Sequence, residues 1–147
     1  MRRVFTKIGS CAAVAMLALA GIQPAQAEQV AADPPAYFEM TDISRGSFIV
    51  KIEKAADIEH ARDLVSGADK EKPHLLGRIT KRPAPFNPGW SYHFDPATLG
   101  FFDVAIEVCD ATMTYVEEHL DEAGGAFLPG NLWCPWSSKL VKEVPAP

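Results

Sequence analysis

Two short stretches near the start of the folded part alternate apolar and polar side chains. Ala36, Phe38 and Met40 fall between Tyr37, Glu39 and Thr41, and after the turn-like Ile43-Ser44-Arg45-Gly46, Phe48, Val50 and Ile52 oppose Lys51 and Glu53. A period of two puts one side of each strand on a core, so the pair predicts a β-hairpin. The period then lengthens. Ile58, Ala61, Leu64 and Val65 share a helical face, which predicts a helix over 55–66 ended by Gly67. The charged run 68–73 reads as a loop and 74–82 as a third strand. Residues 83–89, Pro-Ala-Pro-Phe-Asn-Pro-Gly, can form neither a helix nor a central strand, because proline lacks an N–H and fixes φ.

Alternation returns at Trp90, Tyr92 and Phe94, a fourth strand stopped by Asp95-Pro96. It appears again at Phe102, Val104, Ile106 and Val108, a fifth strand ending at Cys109. Asp110 is placed to cap a second helix over about 111–122, with Met113, Val116 and Leu120 facing inward and Gly124-Gly125 at its end. The stretch 127–136 reads as irregular, and 138–144 as a last strand. The order β-β-α-β-β-β-α-β predicts an α+β fold, a mainly antiparallel sheet with both helices on one face.

The residues ahead of this pattern belong to a different class. Arg2, Arg3 and Lys7 precede an apolar run from about Cys11 to Ile22, and Ala25-Gln26-Ala27 follows. Basic start, apolar core and small-x-small end form a secretory signal peptide. The run is shorter than the about 20 residues that a membrane span needs. The expectation is cleavage after Ala27, a disordered leader over 28–35, a single domain over 36–147, and an extracellular or periplasmic protein with no membrane attachment once cleaved. Arg2-Arg3 leaves both general secretion and twin-arginine export open.

Removal of 1–27 changes the composition that matters. The whole chain carries 14 Lys+Arg and 19 Asp+Glu, a net charge of −5, and losing three cations makes it −8. An acidic domain without a basic cluster is a poor partner for nucleic acid or an anionic membrane. Cys11 leaves as well, so Cys109 and Cys134 remain as an even pair, expected to form a disulfide in an oxidising compartment.

The candidate chemistry is thin. Ser91, His93 and Asp95 lie at i, i+2 and i+4 of one strand face, with parallel side chains about 7 Å apart, whereas a triad needs contacts near 3 Å. The four histidines, His60, His74, His93 and His119, form no metal motif. No catalytic set, metal or cofactor is expected. The alternative is a small hydrolase or metal-dependent enzyme using His93 with a nearby carboxylate (Asp95, Glu107 or Glu118). Glu117, Glu118, Asp121 and Glu122 form an acidic patch, read as a solvated face or a surface for a cation or a basic partner. The loop through Arg82, Pro83, Pro85, Phe86 and Trp90 is the leading binding candidate. Its prolines reduce the entropy lost on binding, and its rings offer rigid contacts. Trp133 and Trp136 join it as candidate contacts. The function expected is a secreted, non-enzymatic domain that binds an unknown protein or peptide, in its most concrete form a peptidase inhibitor.

Gly77-Arg78-Ile79 through Pro88-Gly89-Trp90-Ser91-Tyr92-His93, then Ala105 to Ala111 and Trp133-Cys134-Pro135-Trp136-Ser137, resemble a family of small exported bacterial proteins labelled calmodulin-binding-protein-like. The label comes from a eukaryotic calmodulin-binding protein that has the domain at its N-terminus. The resemblance spans about residues 36–144 and implies no catalytic residue. Calmodulin itself is not an expected partner, because its targets are basic amphipathic helices. The helices predicted here are of mixed charge or acidic.

Overall fold

The computed structural model describes residues 34–147 apart from Ile106. The expected signal peptide and most of the leader lie outside the described residues. Pro34 and Pro35 precede the first strand; Pro34 is exposed.

The hairpin forms as the alternation predicts. Strand β1 (Ala36–Thr41) pairs antiparallel with β2 (Phe48–Ile52) from Ala36↔Ile52 to Met40↔Phe48. All six predicted inward residues are buried. The turn between them is held by Asp42, itself buried, whose carboxylate accepts from the Ser44 N–H at 2.8 Å and from the Met113 N–H at 2.7 Å. One side chain therefore closes the hairpin and ties it to the second helix. Helix α1 (Ala55–Ser66) has the predicted bounds, and Gly67 ends it at φ 78°, a left-handed conformation that glycine adopts without strain. Strand β9 (Lys139–Val144) closes the sheet in the order β2-β1-β9. Its register with β1 shifts at Glu39/Met40, leaving Val141 as the extra residue.

Four of the remaining strands form a second antiparallel sheet instead of extending the first. At its centre is β3 (His74–Thr80). It pairs with β4 (His93–Phe94), with β5 (Gly100–Phe102) and with β8 (Leu132–Trp133). A 3-10 turn, Pro96–Thr98, separates β4 from β5. It can lie close because Gly77 has no side chain: a Cβ there would meet Phe94 at 3.1 Å and the Leu99 backbone at 3.3 Å. Two short strands, β6 (Ala123–Gly124) and β7 (Phe127–Pro129), pair parallel to each other. Thus the α+β class, two helices, mostly antiparallel pairing and the Cys109–Cys134 disulfide all hold. The three short strands β6, β7 and β8 lie within or beside the segment expected to be irregular.

Three expected elements differ. Residues 90–92 are not strand, and Tyr92, His93 and Phe94 are all buried. The segment runs between two packed layers, so alternation there does not separate core from solvent. The fifth strand stops at Phe102, and Val104 and Val108 are 79% and 65% exposed. Its partner β3 begins at His74, just after Pro73, and the Asp103 carboxylate turns aside to take the Lys72 N–H. The second helix, α2, covers only Met113–Glu118. Thr112 caps it by accepting from the Tyr115 N–H, while Asp110 instead accepts from the Trp136 N–H at 2.9 Å.

A single core joins the two sheets. The Phe48 ring lies 5.2–6.1 Å from those of Trp90, Tyr92, Phe94 and Trp133, and Trp133 stacks on Phe94 at 4.7 Å. Phe48→Ala should lower stability by about 3–5 kcal/mol. That is a large part of the roughly 5–15 kcal/mol typical of a domain. The measurement is the urea midpoint, with the slope unchanged.

Candidate functional site

The proline-rich loop is built on two consecutive turns that share Asn87. The Asn87 N–H donates to the Ala84 carbonyl at 2.9 Å, and its own carbonyl accepts from the Trp90 N–H at 3.3 Å. Pro85 and Pro88 therefore each occupy the second position of a turn, where a fixed φ near −65° is favourable. The Asn87 side chain is buried and works in both directions. Its Oδ1 accepts from the Ile49 N–H at 2.9 Å, and its Nδ2 donates to the Tyr92 carbonyl at 3.3 Å. Trp90 adds a second tie, its Nε1 donating to the Ser47 carbonyl at 2.7 Å. Ile49 and Ser47 lie on or beside β2, the edge of its sheet. The loop thus satisfies backbone groups that an open edge would offer to another chain.

His93 anchors the other end. Its Nδ1 lies 2.8 Å from the Arg82 carbonyl, an acceptor, so that nitrogen carries the proton. Phe86 packs against the rings of Tyr37 at 5.6 Å and His93 at 5.7 Å. The Ser91 N–H donates to the Glu117 carboxylate at 3.0 Å. The result is an ordered division of the loop. Ala84 and Asn87 are buried, Phe86 and Trp90 half-buried, and Arg82, Pro83, Pro85, Pro88 and Gly89 exposed.

The other predicted site residues have different roles. Trp133 is fully buried, its rings covered by Phe48, Tyr92 and Phe94 and its Nε1 donating to the Ala111 carbonyl at 2.9 Å. It is a core residue and offers nothing to a partner. Trp136 is half-buried and packs against His74 and Phe102, beside the disulfide that holds Cys109 and Cys134 with Cα atoms 5.2 Å apart. The acidic patch is divided between two elements. Glu117 and Glu118 end α2, while Asp121 and Glu122 lie in the turn beyond it. Glu117 serves Ser91, and Glu122 lies 3.1 Å from His119 Nδ1. The cation at this end is Lys81, whose Nζ donates to the Asp121 and Ala123 carbonyls. Lys142 pairs elsewhere, with Glu39 of β1.

Ser91, His93 and Asp95 do not come together. His93 serves Arg82, Ser91 donates its N–H to Glu117, and the Asp95 carboxylate caps the 3-10 turn through the Ala97 N–H at 3.1 Å. The side chain of Glu107, another carboxylate considered with His93, lies outside the described ones. Among the described residues no three His, Cys, Asp or Glu side chains are grouped to hold a metal. Clefts of about 250, 330 and 310 Å³ border α1 and the loop after it, away from residues 82–91.

Two polar residues that organise this region were not singled out from sequence, Asn87 and Asp42. Both carried a signal. Asn-Pro-Gly is a turn sequence, and Asp42-Ile43-Ser44 is the spacing at which an aspartate side chain takes an N–H two residues on. Tyr92 is a further buried polar group here, its hydroxyl donating to the Met113 carbonyl at 3.0 Å. Burial, reinforced by the negative charges of Glu117 and Asp42, holds its phenol well above the ordinary range.

A family model described as the BP-74 N-terminal domain matches residues 34–147. No curated protein and no solved structure matches the chain.

The Tyr92 environment sets a pH dependence. Its folded pKa is raised, so its contribution is complete below pH 10 and is lost as pH rises, because the unfolded phenol ionises first. Tyr92→Phe should cost about 0.5–1.5 kcal/mol at pH 8 through the lost hydrogen bond. Above pH 10 the gap should close at up to about 1.4 kcal/mol per pH unit. Guanidinium unfolding of both proteins at pH 8, 10 and 11 measures it, since ionisations common to the two cancel in the difference.

Proposed function

We propose, from the premise that the chain belongs to the BP-74 N-terminal domain family, that it is a non-enzymatic binding domain whose contact surface is the ridge Arg82–Gly89. The observation that carries this is the division of the loop into an anchored underside and an exposed crest. The side chains of Asn87, His93 and Trp90 hold the loop by four hydrogen bonds to backbone groups, leaving Arg82, Pro83, Pro85 and Pro88 outward. A surface ordered before binding loses little entropy when a partner arrives. The partner is a protein or peptide. The acidic balance argues against nucleic acid and anionic membrane.

The peptidase-inhibitor version takes a particular form here. A serine peptidase held in a substrate-like manner needs the carbonyl of the contacted residue to point outward, toward the enzyme's oxyanion donors. The Arg82 carbonyl points inward to His93. The ridge therefore acts as a wedge lying across a cleft, with the prolines as its contact, and does not present Arg82-Pro83 as a scissile bond.

The domain works outside the cytoplasm. The basic-apolar-small order of residues 1–27 and the pairing of Cys109 with Cys134 support this. N-terminal sequencing of the protein recovered from the medium or periplasm should begin at Glu28; recovery of the intact Met1 form from the cytoplasm alone would remove the export reading. For the ridge, inhibition assayed against a panel of serine and cysteine peptidases should fall at least tenfold on Pro85→Gly, with the melting transition retained. An absence of inhibition throughout the panel would eliminate the inhibitor version. Capture of the same partners by wild type and Pro85→Gly would eliminate the ridge as contact surface.

A further inference from the structure

A second surface lies on α2. The inner side of this helix, Met113 and Val116, is fully buried, yet Tyr115 on the outer side is 48% exposed. Its ring lies 4.2 Å from that of His119, tilted by 31°. Phe127, from β7, stands steeply inclined to both, at 5.4 Å from Tyr115 and 6.2 Å from His119. Three rings are thus gathered at the surface on a helix whose core contact is already made elsewhere. The turn bearing Val108, itself 65% exposed, lies against β7.

The exposed charges on the helix end and turn beside this platform are acidic. Glu118, Asp121 and Glu122 are exposed, and among the described residues none of them forms an ion pair with a lysine or arginine. Lys81, the cation in contact with this end, is engaged by the Asp121 and Ala123 backbone carbonyls. Flat rings bordered by carboxylates that hold no lysine or arginine match one side chain above others. A guanidinium is planar, stacks on aromatic faces, and donates in its own plane to carboxylates. An ammonium also donates to carboxylates and is attracted to a ring face, but as a strongly hydrated point charge it cannot lie flat on the ring.

We propose that this face docks an arginine-bearing segment of a protein partner. The guanidinium stacks on the platform of Tyr115, His119 and Phe127, and Glu118, Asp121 and Glu122 receive its N–H groups. The net negative charge of the chain steers such a segment toward it. This surface is independent of the proline ridge and stands or falls without it.

Calorimetric titration of the purified protein with nona-arginine and nona-lysine tests the proposal. Nona-arginine should bind more tightly than nona-lysine. Tyr115→Ala should weaken nona-arginine about two- to fivefold, the size of an exposed cation–π contact, while Tyr115→Phe restores it. The double variant Glu118→Gln/Asp121→Asn should weaken both peptides and flatten the salt dependence, and Pro85→Gly should change neither. Equal affinity for the two peptides, indifferent to Tyr115→Ala, would reduce the effect to bulk charge and overturn the proposal, as would no binding at low salt. If Tyr115→Ala does not fold, Glu118→Lys at its exposed position decides: loss of nona-arginine binding supports the site, and unchanged affinity overturns it.

Discussion

Phe48 sits on an edge strand of one sheet, and the rings it touches come from the loop, from β4 and from β8. It brings together pieces that no run of backbone pairing joins. The second sheet is short-stranded, with two residues each in β4 and β8. Strands of that length have few ladder hydrogen bonds and cannot hold a sheet alone. Their positions are set by Tyr92, Phe94 and Trp133 packing on Phe48, each aromatic pair adding about 0.5–1.5 kcal/mol beyond the area it buries. The fold is thus governed more by ring packing between layers than by pairing within the second sheet.

The same packing explains which parts of the fold were legible in the sequence. The hairpin, to within one residue, and the bounds of α1 were, because each buries one face and leaves the other in water. The β9 strand was legible to within one residue. Residues 90–94 and 102–108 were not. In the first, burial is on both sides, so Tyr92, His93 and Phe94 carry no usable alternation. In the second, the alternation is real, but the partner strand ends beside Pro73 and β5 stops at Phe102. A capping residue two positions later than expected removes two residues from the start of α2, and His119, which leaves the helical conformation, ends it four residues early. Asp110 was a sound choice by residue type, and the long-range demand of the Trp136 N–H took it away.

At the candidate site, the sequence marks out a segment but not how it is divided. Phe86 and Trp90 are recognisable as large rings, but a sequence cannot distinguish a ring offered to a partner from one packed beneath a loop. Here both are half-buried against Tyr37, His93, Phe48 and Tyr92. Trp133 is the extreme case, a contact candidate by residue type that lies at the centre of the core. The acidic cluster was visible as a cluster, yet Phe127 of β7 comes from a separate element and joins Tyr115 and His119 beside it only once the chain is folded.

Asn87 has a consequence for how freely the ridge can change. It satisfies the sheet edge with a side chain, so the residues between the anchors take no part in the sheet ladders. Pro83, Pro85 and Pro88 point away from the core, and what the fold requires at their positions is a compatible φ, not a particular surface. The crest and the frame are therefore separable. New side chains could be written onto the ridge while Asn87, Trp90 and His93 keep the molecule folded, which makes this small domain an interchangeable-tip scaffold as much as a single-purpose binder.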